Sequence, residues 1–235
     1  LEERRETMDS QTAAKLIREA KSCTFLTGAG VSTPSGIPDY RSLKGVYQGI
    51  QQPEYLLSHT CMVNEPDTFY QFVQHLYHPH AKPNVIHRTI AALETSRPVW
   101  TVSQNIDGLH KKAGSHHCID FHGSLYHCYC RKCGQTVPWE TYLTDWHHLA
   151  CGGQIRPDIV LYEEGFADAQ IEAAISAVMQ AELLVVVGTS LQVYPFAGLI
   201  QYQQTPSVLV INQTPVAGIA AEQVLARGED IFALV

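Results

Sequence analysis

Four residues in the middle of the chain have the types and spacing of a metal site. Cys130 and Cys133 form a CRKC pair, and His148 and Cys151 form an HLAC pair, with Cys151 eighteen positions after Cys133. Two short turns that each present two donors suit one tetrahedral zinc ion. A redox pair would account for Cys130 and Cys133 alone but not for a second pair at matched spacing. His147 or Cys128 could complete the shell in place of His148. With every ligand supplied by the chain, such a zinc is structural and leaves no open position for catalysis.

A second set of polar residues stands at the ends of apolar runs. VWTVSQNIDGLH, residues 99 to 110, runs into Gln104, Asn105, Ile106 and Asp107, and CIDFHGS ends another apolar piece at His122. Amide, carboxylate and imidazole groups suit ribose hydroxyls, a carboxamide and proton transfer near neutral pH. A lone histidine after a strand is more commonly a satisfied structural residue. FLTGAGVSTPSGIPDYRS, residues 25 to 42, carries Gly28, Ala29 and Gly30, a turn that can approach phosphates closely. As a dinucleotide fingerprint it is incomplete, because Thr33 stands where a third glycine would be, and a tight strand-to-helix turn is the plain alternative. Asp39, Tyr40 and Arg41 follow, with Arg41 able to bind phosphate or to pair with Asp39. In VVVGTSLQVYP, Gly188, Thr189 and Ser190 end a further strand, with a capped loop as the alternative.

Positioning these groups requires strands, and short β-branched runs recur at 23–27, 98–103, 117–121, 183–187 and 207–212. Such runs suit parallel strands buried on both faces. Helical patterns lie between them at 10–20, 84–94, 167–180 and 215–226, and GEDIF at 228–232 reads as the end of a strand-like piece. The fold class is therefore α/β, a Rossmann-like doubly wound parallel sheet. Segments 43–83, helical and aromatic, and 128–154, rich in Cys, His and Gly, break the alternation and read as insertions forming a small second domain. Residues 8–42, 84–127 and 155–235 are left for the nucleotide-binding domain.

Composition narrows the class. Hydrophobic residues at 45% against 17% charged describe a globular chain, and a net charge of −7 disfavours bulk binding to nucleic acid or an anionic membrane. The run LLVVVG is too short to span a bilayer, and LEERRE lacks a signal-peptide core, so the expected location is cytoplasmic. Seven cysteines, an odd number, do not form a disulfide framework.

Taken in order, GAGVSTPSGIPDYRS, SQNIDGLH, FHGS, IRPDIVLYEE, GTSLQVYP and VIN resemble the signature segments of the sirtuin family, NAD-dependent protein lysine deacylases, and of its bacterial-type single-domain members. The resemblance implies a Rossmann-like domain with a helical and zinc-binding small domain, NAD as co-substrate and one structural zinc. It implies that Ala29, Thr33, Tyr40 and Arg41 cover the diphosphate and nicotinamide ribose, and that Thr189, Ser190, Asn212 and the region of Asp230 hold the adenosine half. Gln104 and Asn105 would order the ribose, Ile106 and Asp107 would hold the carboxamide, and His122 would act as general base. An acyl-lysine protein or peptide would lie extended between Val160, Leu161 and Tyr162 on one side and Gly188 to Val193, including Leu191, on the other.

The chain departs from the family pattern at three places. Tyr162, Glu163 and Glu164 stand where FGE is usual, and Glu163 could favour basic peptides; His148 replaces a usual cysteine. The third residue after Tyr70 is Val73 rather than the arginine of acidic-acyl members, so acetyl and other neutral acyl groups are expected. Mono-ADP-ribosyl transfer and NAD or ADP-ribose sensing are the alternative functions.

Overall fold

The computed structural model describes residues 8–38, 53–205 and 207–235. Helix α1 (Ser10–Glu19) begins where the Asp9 carboxylate accepts from the N–H groups of Gln11 and Thr12, and it buries Ala13, Ala14 and Ile17 on one face. It ends where the Arg97 guanidinium donates to the carbonyls of Ile17, Arg18 and Ala20, so a distant side chain satisfies the last turn. Strand β1 (Cys23–Thr27) follows and is buried at every position.

Strands β2 (Val99–Ser103), β3 (Cys118–Asp120), β8 (Leu183–Val187), β9 (Val208–Asn212) and β10 (Glu222–Leu225) complete a sheet in the order β10-β9-β8-β1-β2-β3. All of its pairings are parallel; Cys23 lies opposite both Val99 and Leu183. This is the doubly wound arrangement expected from the sequence. Helices α1, α5 (Val85–Glu94) and α9 (Gly228–Phe232) cover one face through Phe25, Ile86, Ile90 and Phe232, and α8 (Asp168–Met179) with the 3-10 turn Phe196–Tyr202 covers the other.

Two expectations near the C-terminus are corrected. The helix expected over 215–226 is turns followed by β10, and the strand-like reading of 228–232 is helix α9. Glu222, Gln223, Val224 and Leu225 pair with β9, so sheet edge-pairing decides a stretch whose alanines favour helix locally.

A second, antiparallel sheet is built from β4 (Gly123–Cys130), β5 (Thr136–Val137), β6 (His147–His148) and β7 (Gly153–Ile159), in the order β5-β4-β7-β6, with α7 (Trp139–Thr144) between β5 and β6. Within 53–83 the chain forms α2 (Pro53–Leu56), α3 (His59–Asn64) and α4 (Pro66–Gln74). Leu56, Met62, Phe69 and Phe72 pack with Leu125, Val137, Tyr142 and Ile155 in one apolar cluster, so the two insertions share a core, and the small sheet also takes in 123–127 and 155–159, which the sequence reading left to the nucleotide-binding domain. Residues 43–52 of the helical insertion lie outside the described residues.

Candidate active site and metal centre

Strands β1 and β8 are neighbours at the middle of the large sheet, and the chain leaves them toward opposite edges. Beyond the carboxyl ends of such strands an α/β sheet opens a crevice. Here that crevice is a cavity of about 600 Å³.

The loops after β1 and β8 touch at its floor. Gly30 N donates to Gly188 O at 2.9 Å. A Cβ on Gly28 would stand 2.6 Å from Thr189 Cβ, and one on Gly30 would stand 2.7 Å from Gly188 Cα. These glycines thus let two protein loops meet, where the sequence alone suggested approach to a ligand. Gly188 also has φ +64, with Val31 N only 2.7 Å from where its Cβ would be. Gly188→Ala is therefore expected to lower stability by about 1–3 kcal/mol through strain and collision, read as a drop in Tm.

Side chains from three strand ends converge above that floor. Asn105 Nδ2 donates to Gly28 O and to Ser32 Oγ, both at 3.0 Å. Ser32 Oγ donates to Asp107 Oδ2 at 2.6 Å, and Leu109 N donates to the other carboxylate oxygen at 2.8 Å. Burial pushes the Asp107 carboxyl above the usual carboxylate range, opposed by those two hydrogen bonds. Thr189 Oγ1 donates to Gln104 Oε1 at 2.7 Å, tying the β8 loop to the β2 loop. The sequence-based site set omits Ser32, although its place two residues after Gly30 was the available signal.

Behind this layer, Thr27 Oγ1 lies 3.1 Å from His110 Nε2 and donates to Ser103 Oγ, which in turn accepts from Asn105 N at 3.1 Å. His110 and His87 are buried with their rings 4.7 Å apart. Burial lowers both imidazoles, His87 to about 4, so the pair stays neutral and the backbone of Asn105 rests on uncharged groups.

His122 enters from the end of β3, with its ring against Phe121, Phe166 and Phe196. Burial in this apolar cage lowers its pKa to about 4, opposed by the backbone carbonyl of Gln104. Nδ1 is buried without a hydrogen-bond partner among the described residues. A neutral imidazole at pH 7 can accept a proton.

The structure brings most of the expected residues to the one cavity. Ala29, Gly30 and Thr33 line it beside Gln104, Asn105, Ile106 and Asp107. His122, Gly188, Thr189, Ser190 and Asn212 also line it, as do Val160, Leu161, Tyr162 and Val193. Gly28 lies beneath the lining, and Leu191 belongs to the lining loop without itself facing the cavity. Asp230 is not brought in: it is exposed at the start of α9 and pairs with Arg227 at 2.9 Å. Asp39, Tyr40 and Arg41 lie outside the described residues.

The wall at 160–164 differs from an open strand edge. Val160 N donates to His122 O, Tyr162 N to Leu57 O, and His59 N to Tyr162 O, each at 3.0 Å. Leu161 N donates to Glu164 Oε2. Tyr162 is thus already bridged to Ser58, so this wall offers fewer main-chain groups than expected. The Glu163 carboxylate, expected to attract basic peptides, instead accepts from Thr60 N and Oγ1 at 2.9 and 2.7 Å.

The metal candidates also come together. The donor atoms of Cys130, Cys133, His148 and Cys151 all lie within 4.8 Å of one another. Sγ of Cys130 is 3.4 Å from that of Cys151, and His148 Nδ1 is 3.4 and 3.2 Å from Cys133 and Cys151. Tetrahedral bonds of about 2.0–2.3 Å require donors spaced by roughly 3.5 Å, so this three-sulfur, one-nitrogen set fits zinc. A Cβ on Gly153 would stand 2.6 Å from the Cys130 sulfur, so glycine keeps room beside the cluster. The other two candidates are engaged elsewhere, His147 with Asp145 and Cys128 with Tyr77 and the Leu125 carbonyl.

A parallel doubly wound sheet with a crevice at its switch point that carries strand-end polar groups, and a Cys3His knuckle in a second sheet, define a nucleotide-binding domain carrying a structural metal module. Residues 28–195 match the model of the Sir2 family, and the chain belongs to that family. It is 61% identical over 212 residues to an NAD-dependent protein deacetylase of Enterococcus faecalis, covering 89% of this chain and 90% of that one. Another NAD-dependent protein deacetylase, from Listeria monocytogenes, is 52% identical over 199 residues, covering 84% and 87%. A solved Sir2 structure with a deacetylated p53 peptide and 3′-O-acetyl-ADP-ribose superposes with a TM-score of 0.85 at 28% identity, over 97% of both chains.

Proposed function

We propose that this chain is an NAD-dependent protein lysine deacetylase, which passes an acyl group from lysine to ADP-ribose and releases nicotinamide. The observation that carries the reading is a caged, neutral His122 in the same cavity as Gln104, Asn105 and Asp107 and, from the end of β8, Thr189 and Ser190. The polar groups at three strand ends and the glycine floor fit a dinucleotide. NAD, when bound, supplies an electrophilic ribose carbon that takes up the acyl oxygen as nicotinamide leaves.

The chain's own groups do the rest. Asn105 and Gln104 are held rigid by Gly28 O, Ser32 and Thr189 and orient ribose hydroxyls. Asp107, fixed by Ser32 and Leu109 N, receives the carboxamide beside Ile106. His122 Nε2 accepts the proton of a ribose hydroxyl, and Phe121, Phe166 and Phe196 keep water from its ring. Thr189, Ser190 and Asn212 take the adenosine half. The substrate is an acyl-lysine protein or peptide, whose chain passes between the 160–164 wall and the 188–193 loop.

The net charge of −7 supports a function without bulk nucleic-acid binding, and no helix among the described residues is long and apolar enough to cross a membrane. The seven cysteines, none of them joined in a disulfide, support a cytoplasmic setting. The test is incubation with NAD and an acetyl-lysine peptide, following peptide mass, nicotinamide and O-acetyl-ADP-ribose together. Label from NAD passing to protein, with the peptide left acetylated, would move the function to ADP-ribosyl transfer. NAD binding without nicotinamide release would leave a sensor.

Acyl preference follows from the helical insertion. Val73 is fully buried in the small-domain core, and Tyr70 packs edge-on against Tyr142. Among the described residues, no lysine or arginine lines the cavity. A succinyl carboxylate would therefore be desolvated without a counter-charge there. Deacetylation is expected to exceed desuccinylation by more than about tenfold in kcat/KM on otherwise identical peptides, and the reverse order would refute this.

A further inference from the structure

Among the described residues, two that are not glycine adopt the left-handed backbone region: Glu163 with φ +75 and Leu191 with φ +50. Glu163 belongs to the 160–164 wall that lines the cavity, and Leu191 to the loop after β8, whose Ser190 and Val193 line it. Strain of this kind persists only where surrounding contacts hold it. At Leu191 the holding contact is its own N–H donated to Thr189 Oγ1 at 3.2 Å. At Glu163 it is the side chain, whose Oε2 takes both the N–H and the hydroxyl of Thr60, in the first turn of α3. The paired hydrogen bonds hold this carboxyl below the usual carboxylate range.

The next residue pulls the other way. Glu164 turns inward to Arg156 on β7, with contacts of 2.5 and 3.0 Å, and that guanidinium also donates to the Ile159 carbonyl. Adjacent carboxylates thus anchor one wall to two bodies: Glu164 to the β4–β7 sheet, and Glu163 to the helical insertion. The Tyr162 bridge to residues 57–59 immediately precedes both in the chain. Serving both anchors requires the chain to reverse at Glu163, and that reversal is the left-handed conformation.

We propose that Glu163 is a positioning residue for the acyl-lysine peptide, a latch whose hydrogen bonds to Thr60 fix the peptide-facing wall against α3 and set the width of the peptide channel. The inference rests on the deacetylase reading above. The latch needs an oxygen acceptor and not a negative charge. It acts on the peptide side, because Glu163 and Thr60 touch none of the groups placed around NAD.

Steady-state kinetics on the full chain test this with Glu163→Ala, Glu163→Gly, Glu163→Gln and Thr60→Val. Loss of the acceptor in Glu163→Ala is expected to raise the peptide KM about five- to tenfold, with a much smaller change in kcat and in the KM for NAD. Glu163→Gln keeps an acceptor oxygen and is expected to stay within about twofold of the parent. Glu163→Gly separates the two explanations, since it relieves the backbone while removing the latch. A raised KM in Glu163→Gly supports the latch; a KM equal to the parent's means that only backbone conformation matters and overturns it. Thr60→Val loses one of the two bonds and is expected to fall in between. Equal KM values for Glu163→Ala and the parent, at matched Tm, would also overturn it. Failure of the deacetylase reading looks different: the parent chain itself would release no O-acetyl-ADP-ribose.

Discussion

Replacing His122 with alanine is expected to lower kcat/KM for deacetylation by about 10²–10⁴-fold while leaving the fold and NAD binding largely in place. The magnitude follows from the loss of a general base, and the selectivity follows from position. His122 makes ring contacts with three phenylalanines, but its side chain shares no hydrogen bond with Asn105, Asp107 or Thr189, which would hold the dinucleotide. The pH profile supplies a second reading. Burial depresses this imidazole from 6.5 to about 4, so the free protein keeps a neutral base well below the pH at which an ordinary histidine protonates. The acid limb of kcat/KM should therefore lie nearer pH 4 than pH 6.5, wherever the chain remains folded. An acid limb at 6.5 would mean that His122 is solvated in the working protein. Full activity in the alanine variant would remove it from the chemistry.

Metal removal is expected to have the other large effect, on structure. Metal analysis should return about one zinc per chain, and a strong chelator or Cys130→Ser should melt the antiparallel sheet. The reason lies in how little else closes the distal end of that sheet. β5 and β6 have two residues each, while Cys130 ends β4 and His148 ends β6. Two donors at the ends of β4 and β6 and two in the turns that follow those strands thus gather to one point. Loss of that point frees residues 131–152 and, through Tyr142 and Val137, loosens the apolar cluster shared with α3 and α4. Activity should fall with it, as a consequence of a displaced peptide wall and not of lost metal chemistry, since the chain fills all four positions. Retained Tm and activity in metal-free protein would refute a structural zinc.

The apolar runs by themselves determined the parallel sheet, because strands buried on both faces must be nearly continuous in β-branched residues, as CTFLT and LLVVV are. Ligand spacing likewise determined Cys130, Cys133 and Cys151 as donors to one ion, since short turns leave donors few places to go. Strand-end polarity marked Gln104, Asn105, Asp107 and His122, because in this class of sheet those ends share one crevice. Local propensity failed at 215–226 and 228–232, where pairing with β9 and the packing of Ile231 and Phe232 beneath the sheet outweigh it. Asp230, which the family resemblance alone had assigned to the adenosine half, is exposed and paired with Arg227 on a surface turn.

What only the tertiary structure decided are contacts between residues far apart in the chain. The meeting of Gly28 and Gly30 with Gly188, the support of Asn105 by Thr27 and His110, and the choice of His148 over His147 and Cys128 are of this kind. So is the carboxylate of Glu163, which local reading aims at the substrate and the fold turns onto Thr60. The physical reason is common to all of them. Hydrophobic periodicity is a local property of the chain, whereas the partner that satisfies a polar group is chosen by which loops the packed sheet brings within hydrogen-bonding distance.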